Sequence, residues 1–447
     1  MHLLRLLLGP AIVVILAMAY ALVFAEEYLH LRKSKPVMIA AALIWILVAL
    51  DFHLKGLDAS VSERLRQILV EYAELFFFLL SATSFVNALV ERNLFEALQA
   101  RLVALRLSQR GVFWLTGTIA FFLSPVADNL TTALVMGTVA VAALGKDRKA
   151  IVGTLVSIVV AANAGGAFSP FGDITTLMVW QKGVASFGQF FVLFVPSLLS
   201  WLAPACIISF TIGGTEIQAR ATHAAVRKGG YFIAFLFLGT ILVTVLLHQF
   251  LHLPPFLGMM MGLGLLNLYS YFLHRYESRV LAQSVPDTTD EFERNGRASE
   301  PFSIFNILRQ VEWDTFLFFY GIMLCVGGLA AIGYLGGLSR FLYGGLGNTT
   351  ANILIGLLSA VIDNIPLTYA VLTMMPHMDL GQWLLVTLAA GIGGSLLSIG
   401  SAAGVALMGV SRECYTFVSH LKWSWAILLG YAVGIGAHIY LNRALFN

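Results

Sequence analysis

Charge is scarce in this chain: Lys, Arg, Asp and Glu together make up 11% of its 447 residues, where a soluble domain carries roughly 25%. That shortage excludes an ordinary water-facing surface. Cysteine is nearly absent too. Cys206, Cys325 and Cys414 are few and far apart, which excludes a disulfide framework. No Cys/His spacing of a zinc or iron–sulfur site occurs. The net charge of +3 is small and scattered through short loops, so no nucleic-acid partner is expected. What fills the space is apolar: 59% of residues are hydrophobic and the mean hydropathy is +0.84. The lipid bilayer is the expected environment, with about ten crossings of roughly 20 residues each.

Two stretches inside this apolar material share one phrase. Ser124-Pro125-Val126-Ala127-Asp128-Asn129-Leu130-Thr131-Thr132 is answered by Ser359-Ala360-Val361-Ile362-Asp363-Asn364-Ile365-Pro366. A looser echo follows each copy. Asn163-Ala164-Gly165-Gly166 through Pro170 to Asp173 matches Gly391-Ile392-Gly393-Gly394 through Ser398 to Ser401. Each is a polar, helix-breaking interruption, and two such interruptions per half outline a transporter's midplane site.

The order of segments supports duplication. Residues 3–25 could be read as a signal peptide, but the duplication requires them as a retained helix. Residues 91–110, with Arg92, Arg101, Arg106 and Arg110, predict an amphipathic surface helix. The first repeat is placed at 1–274, with a re-entrant hairpin at 112–144 and a broken helix at 150–182. The second begins at 230, crosses an inter-repeat linker at 275–312, and continues through 313–447. Its hairpin lies at 349–376 and its broken helix at 381–411. Placing the basic loops 30–35, 91–110, 145–149, 219–228, 275–312 and 412–422 inside puts both termini outside. The two halves then run in opposite orientations. The expected fold is an all-α polytopic membrane protein with an inverted-topology repeat, about ten transmembrane helices, two re-entrant hairpins and two broken helices.

The chemistry follows from the residue types. An ionised Asp in the bilayer centre costs about 2.5–3.5 kcal/mol on insertion scales, so Asp128, Asp173 and Asp363 need partners, protons, water or a cation. Carboxylates, Asn amides, Ser/Thr hydroxyls and backbone carbonyls freed at the breaks form an all-oxygen set suited to a hard cation. Proton and cation would compete for the same carboxylates, which yields exchange from one site. Half-helix N-termini also suit anions, so an anion or oxyanion carrier of the arsenite or dicarboxylate type is the main alternative. A passive cation channel is a further one. An intramembrane aspartyl protease is a distant one: Pro170 stands where its Gly-x-Gly-Asp motif needs glycine, and Asp128 follows Ala127 rather than Tyr. No enzyme activity and no resident cofactor are expected. The plain structural reading of each residue stands beside this. Asp and Asn cap turns well, and Thr hydroxyls satisfy helix carbonyls. The histidines at 30, 53, 223, 274 and 420 fall in loops or at span ends and are expected at the interface.

Through these motifs the chain resembles the NhaD-type sodium/proton antiporters of the ion-transporter superfamily, over both halves. The residues that carry the resemblance are Ser124 to Thr132, Asn163 to Thr176 with Phe171-Gly172-Asp173-Ile174-Thr175-Thr176, Ser359 to Pro366, and Ser398 to Ser401. It implies exchange of Na+ or Li+ for H+ across a bacterial-type inner membrane, as a homodimer. It also implies roles for Ser124, Asp128, Asn129, Thr131, Asn163, Asp173, Thr175, Thr176, Ser359, Asn364, Ser398 and Ser401. The loop at His30 fits the family only loosely, so no role passes to it. Asp128 and Asp173 are expected to exchange proton for cation, with Asp363 as a third carboxylate. Na+ is expected at Asp128, Asn129, Asp173 and Asn364.

Overall fold

Helix periodicity without strand alternation produces an all-α architecture, and the described residues carry no β-ladder. The computed structural model describes residues 2–29, 31–105, 107–145, 147–214, 225–283 and 302–446. His30, Lys146, Arg220, His223 and the linker stretch 284–301 lie outside them. The principal helices are α1 (His2–Phe24), α2 (Ser34–Leu54), α3 (Asp58–Glu91), α4 (Leu94–Ala104), α5 (Gln109–Ala127) and α6 (Asn129–Leu144). There follow α7 (Arg148–Gly166), α8 (Ile174–Gln181), α9 (Phe194–Ser209), α10 (Gly230–Leu251), α11 (Pro255–Gln283) and α12 (Trp313–Ala331). The last are α13 (Asn348–Leu358), α14 (Asn364–Met374), α15 (Leu380–Gly393), α16 (Ala402–Val410), α17 (Phe417–Leu421) and α18 (Ser424–Leu441). Nine helices among the described residues are long and apolar enough to cross a membrane, and Leu8–Val23 within α1 adds a shorter apolar stretch.

The chain divides into two units. One comprises Met1–Tyr72, Leu102–Ala221 and Asp314–Asn447; the other comprises Ala73–Arg101 and Thr222–Trp313. In the larger unit, α1, α2 and α12 form a frame where glycines permit close approach. A Cβ at Gly321 would meet Val37, and one at Gly328 would overlap Ile44. The interrupted helices α5–α8 and α13–α16 pack with α9 and α18. Asp147 starts α7 by accepting from the Lys149 and Ala150 amides, both at 3.0 Å, and those bonds hold its carboxyl below the ordinary carboxylate range.

The surface-helix expectation over 91–110 needs correcting: α4 covers only Leu94–Ala104, Arg110 lies in the apolar helix α5 with its Nη2 donating to the Ile212 carbonyl at 3.1 Å, and Arg106 lies outside the described residues. α4 is a helix, with Phe95, Ala97 and Ala100 buried and Arg101 exposed. Arg92, however, is only 1% exposed. Its Nη1 donates to Glu277 Oε1 at 2.6 Å and its Nη2 to Glu91 Oε1 at 3.3 Å, while its guanidinium lies 4.4 Å from the Phe302 ring centroid. A buried cation persists where charge and π-face compensate its lost water. Arg92→Ala strands Glu91 and Glu277, so it should lower stability by roughly 2–3 kcal/mol, with the partial exposure of Glu277 already discounted. A thermal unfolding scan of the purified protein reads this directly.

Candidate ion-binding site

Four of the polar residues singled out in the sequence end up as helix N-caps. Asp128 caps α6, Asp173 caps α8, Asp363 caps α14 and Ser401 caps α16. Breaking a helix inside an apolar core exposes backbone N–H groups, and a short oxygen-bearing side chain is the local answer. The same breaks are built alike in both halves. Ser124 Oγ donates to the Ala162 carbonyl at 2.6 Å, and Ser359 Oγ donates to the Ala390 carbonyl at 2.9 Å. A Cβ at Gly165 would overlap the Phe121 carbonyl, and one at Gly393 would overlap the Gly356 carbonyl. A Cβ at Gly166 would come within 2.6 Å of the Gly172 carbonyl oxygen, and one at Gly394 within 2.8 Å of that of Gly400. The two pairs of breaks are therefore matched in these contacts as well as in sequence.

The three aspartates differ once their second oxygens are followed. Asp128 turns back on its own helix: Oδ1 accepts from the Thr131 amide at 2.8 Å and Oδ2 from Thr131 Oγ1 at 3.0 Å. Its φ of +57° is a conformation that a residue with a Cβ adopts at a cost. Asp363 caps with Oδ1, 3.5 Å from the Ile365 amide, and its Oδ2 lies 3.6 Å from Lys33 Nζ. Lys33 also stands 4.6 Å from the Phe318 ring centroid. Both carboxylates are half-buried.

Asp173 is different. It is 5% exposed. Oδ1 accepts from the Thr175 amide at 3.1 Å, while Oδ2 accepts from Asn129 Nδ2 at 3.0 Å and from Asn364 Nδ2 at 2.9 Å. The Asn of each Asp-Asn phrase, one from each half, thus reaches the same carboxylate oxygen. Asn129 Nδ2 also donates to Asn163 Oδ1 at 3.1 Å. Asn163 in turn donates to Ser395 Oγ at 2.8 Å and to Ser401 Oγ at 2.9 Å. The cluster joins α6, α7, α8, α14 and the break between α15 and α16. Among the described residues, three N–H groups donate to the Asp173 oxygens, an arrangement that satisfies an ionised carboxylate. The Thr175 hydroxyl beside it is buried and makes no well-formed hydrogen bond.

Thr176 Oγ1 donates to the Asp173 carbonyl at 2.6 Å and to the Ser169 carbonyl at 2.8 Å, which fixes the break rather than entering the cluster. Ser398 is buried, and its Oγ lies 3.3 Å from Met408 Sδ. Ser395, Lys33 and His420 were missed by sequence reasoning. Ser395 could have been noticed as a hydroxyl in the Gly-Gly-Ser run, where the first half has Ala167. No spacing in the chain connects Lys33 to Asp363. His420, expected at the interface, is fully buried.

Comparison with known proteins places the chain as a whole in a family. Residues 8–272 and 299–391 match the citrate-transporter family. A protein described as Na+/H+ antiporter NhaD of Alkalimonas amylolytica is 49% identical over 447 residues, covering 99% of this chain and 92% of the relative. The protein of that name from Vibrio cholerae is 49% identical over 98% of this chain and 93% of its own length. Sodium/proton antiporter 1 of Arabidopsis thaliana is 30% identical over 98% of this chain and 73% of its own length. With its apolar helices, the chain is a multi-pass integral protein of the plasma membrane. It belongs to the citrate-transporter family and, within it, to the NhaD group of Na+/H+ antiporters.

Proposed function

We propose that this protein exchanges Na+ or Li+ for H+ by alternating access, and that Asp173 is the carboxylate the two ions share. One observation carries the reading: Asn129 and Asn364, at the breaks of the two halves, both donate to Asp173 Oδ2. A carboxylate held from both halves responds to any movement of either. When Na+ arrives, Asp173 supplies the charge, and the oxygens of Asn129, Asn163, Asn364, Thr175, Ser395 and Ser401 are the neutral donors within reach of the cluster. When H+ arrives, it neutralises the same group and leaves the amides nothing anionic to hold. Asp128 and Asp363 flank the site as the carboxylates of the two Asp-Asn phrases.

The matched contacts of the two halves support an inverted-topology repeat as the framework, with the paired breaks α5–α6 and α13–α14 as re-entrant hairpins. On this reading the protein is a transporter rather than an enzyme, needs no resident cofactor, and works as a homodimer. The test is made in proteoliposomes loaded with an inside-acid pH gradient. External NaCl or LiCl should alkalinise the lumen, while citrate and arsenite should not. Uptake of citrate or arsenite, with no response to either alkali cation, would transfer the site to anion transport.

A further inference from the structure

The break between α15 and α16 is held from outside itself. A broken helix frees carbonyls that an unbroken one would engage, and in this break two consecutive ones, Ser395 and Leu396, are taken by the segment that follows α16. His420 Nε2 lies 2.8 Å from the Ser395 carbonyl oxygen, and Ser424 Oγ donates to that of Leu396 at 2.5 Å. In the first half, the Ser169 carbonyl is instead taken within the break by Thr176 Oγ1, and Ser169 Oγ donates to the Pro125 carbonyl of α5. The tautomer of His420 follows from its partners. A carbonyl only accepts, so Nε2 carries the hydrogen, and Nδ1 accepts from Tyr415 Oη at 2.6 Å. Both rings are completely buried. Burial pushes the imidazole down to about 4, so the ring stays neutral in this role.

We propose that His420 is a positioning residue for the ion site, acting from the short helix α17 through Ser395 on the side chain of Asn163. The path is continuous. His420 fixes the Ser395 peptide, Ser395 Oγ accepts from Asn163 Nδ2 at 2.8 Å, and Asn163 Oδ1 accepts from Asn129, which holds Asp173. Without the His420 bond the Ser395 carbonyl loses its partner and the peptide can rotate. Asn163 then loses one of the two hydroxyls that set its amide. This assignment rests on the reading of the Asp173 cluster as the exchange site.

The test measures Na+- and Li+-driven proton movement in proteoliposomes for wild type, Asp173→Asn, His420→Ala, His420→Gln, Ser395→Ala and the double variant His420→Ala/Ser395→Ala. His420→Ala should raise the KM for Na+ about tenfold, the scale on which a residue orienting a metal's ligands acts, with the maximal rate little changed. The ratio of Na+ to Li+ KM should move with it. Gln can place an amide N–H where Nε2 was, so His420→Gln should recover most of the loss. Ser395→Ala should reproduce His420→Ala, and the double variant should be no worse than either single one. An unchanged KM in His420→Ala, or multiplying effects in the double variant, would overturn the proposal. Should His420→Ala fail to fold, the Gln variant and Ser395→Ala decide it: wild-type KM in Ser395→Ala rejects the path. Full exchange in Asp173→Asn would reject the site reading itself, separately from His420.

Discussion

Asp173→Asn should abolish Na+-driven proton movement, lowering it by about a hundredfold or more, the scale on which losing a proton-carrying group acts. The protein should still insert and fold, because Asn is isosteric and α8 keeps a capping oxygen in one orientation. Neither orientation satisfies the cluster, however. If the amide nitrogen takes the place of Oδ2, it faces the NH2 groups of Asn129 and Asn364; if it takes the place of Oδ1, it faces the Thr175 amide. Either way donors oppose donors, and the one fixed negative charge is gone. Asp128→Asn is the informative contrast. Its Oδ1 can still accept from the Thr131 amide, so the cap survives and the loss should stay within about tenfold. Equal losses in the two variants would mean that Asp128 carries as much of the exchange as Asp173.

The second large effect concerns packing. Gly393→Ala and Gly165→Ala should each prevent stable assembly of their half, at a cost of about 3 kcal/mol or more, beyond ordinary overpacking. In both cases the added Cβ overlaps a backbone carbonyl, that of Gly356 or of Phe121, and no rotamer change relieves a clash with backbone. Each of these carbonyls lies one helical turn before the serine, Ser359 or Ser124, that ties the same two helices together. Moving the helices apart would therefore also break the serine's bond to Ala390 or Ala162. The expected result is a low yield of monodisperse protein in detergent and a lowered melting temperature for whatever is recovered. Gly409→Ala is the control, because nothing lies within 4 Å of its added Cβ. Normal folding of Gly393→Ala would show that α13 and α15 do not need the close approach seen here.

The Asp-Asn phrases, the Gly-Gly pairs and the polar breaks were readable because each is a local departure from an apolar background. Pro125 and Pro170 stand three residues before the N-caps Asp128 and Asp173, and Gly172 and Gly400 stand directly before the N-caps Asp173 and Ser401. Partners across the fold were not readable. That Asp128 closes on Thr131 while Asp173 gathers both asparagines depends on how helices distant in sequence meet. The same holds for Lys33 reaching Asp363 and for Arg92, whose burial depends on Glu277 and Phe302. Sequence spacing ranks Asp128 and Asp173 together; the hydrogen bonds separate them. Ser398 shows the converse: it matches its repeat partner in position, yet its hydroxyl faces Met408.

The most direct test of the central claim, that one carboxylate is shared between Na+ and H+, is the KM for Na+ measured across pH in proteoliposomes. If both ions compete for Asp173, the KM should rise by about tenfold per pH unit on the acid side, as one displaced proton requires, while the maximal rate at saturating Na+ is unchanged. A KM that is flat with pH while the maximal rate falls would contradict the account, since proton and cation would then bind at separate groups.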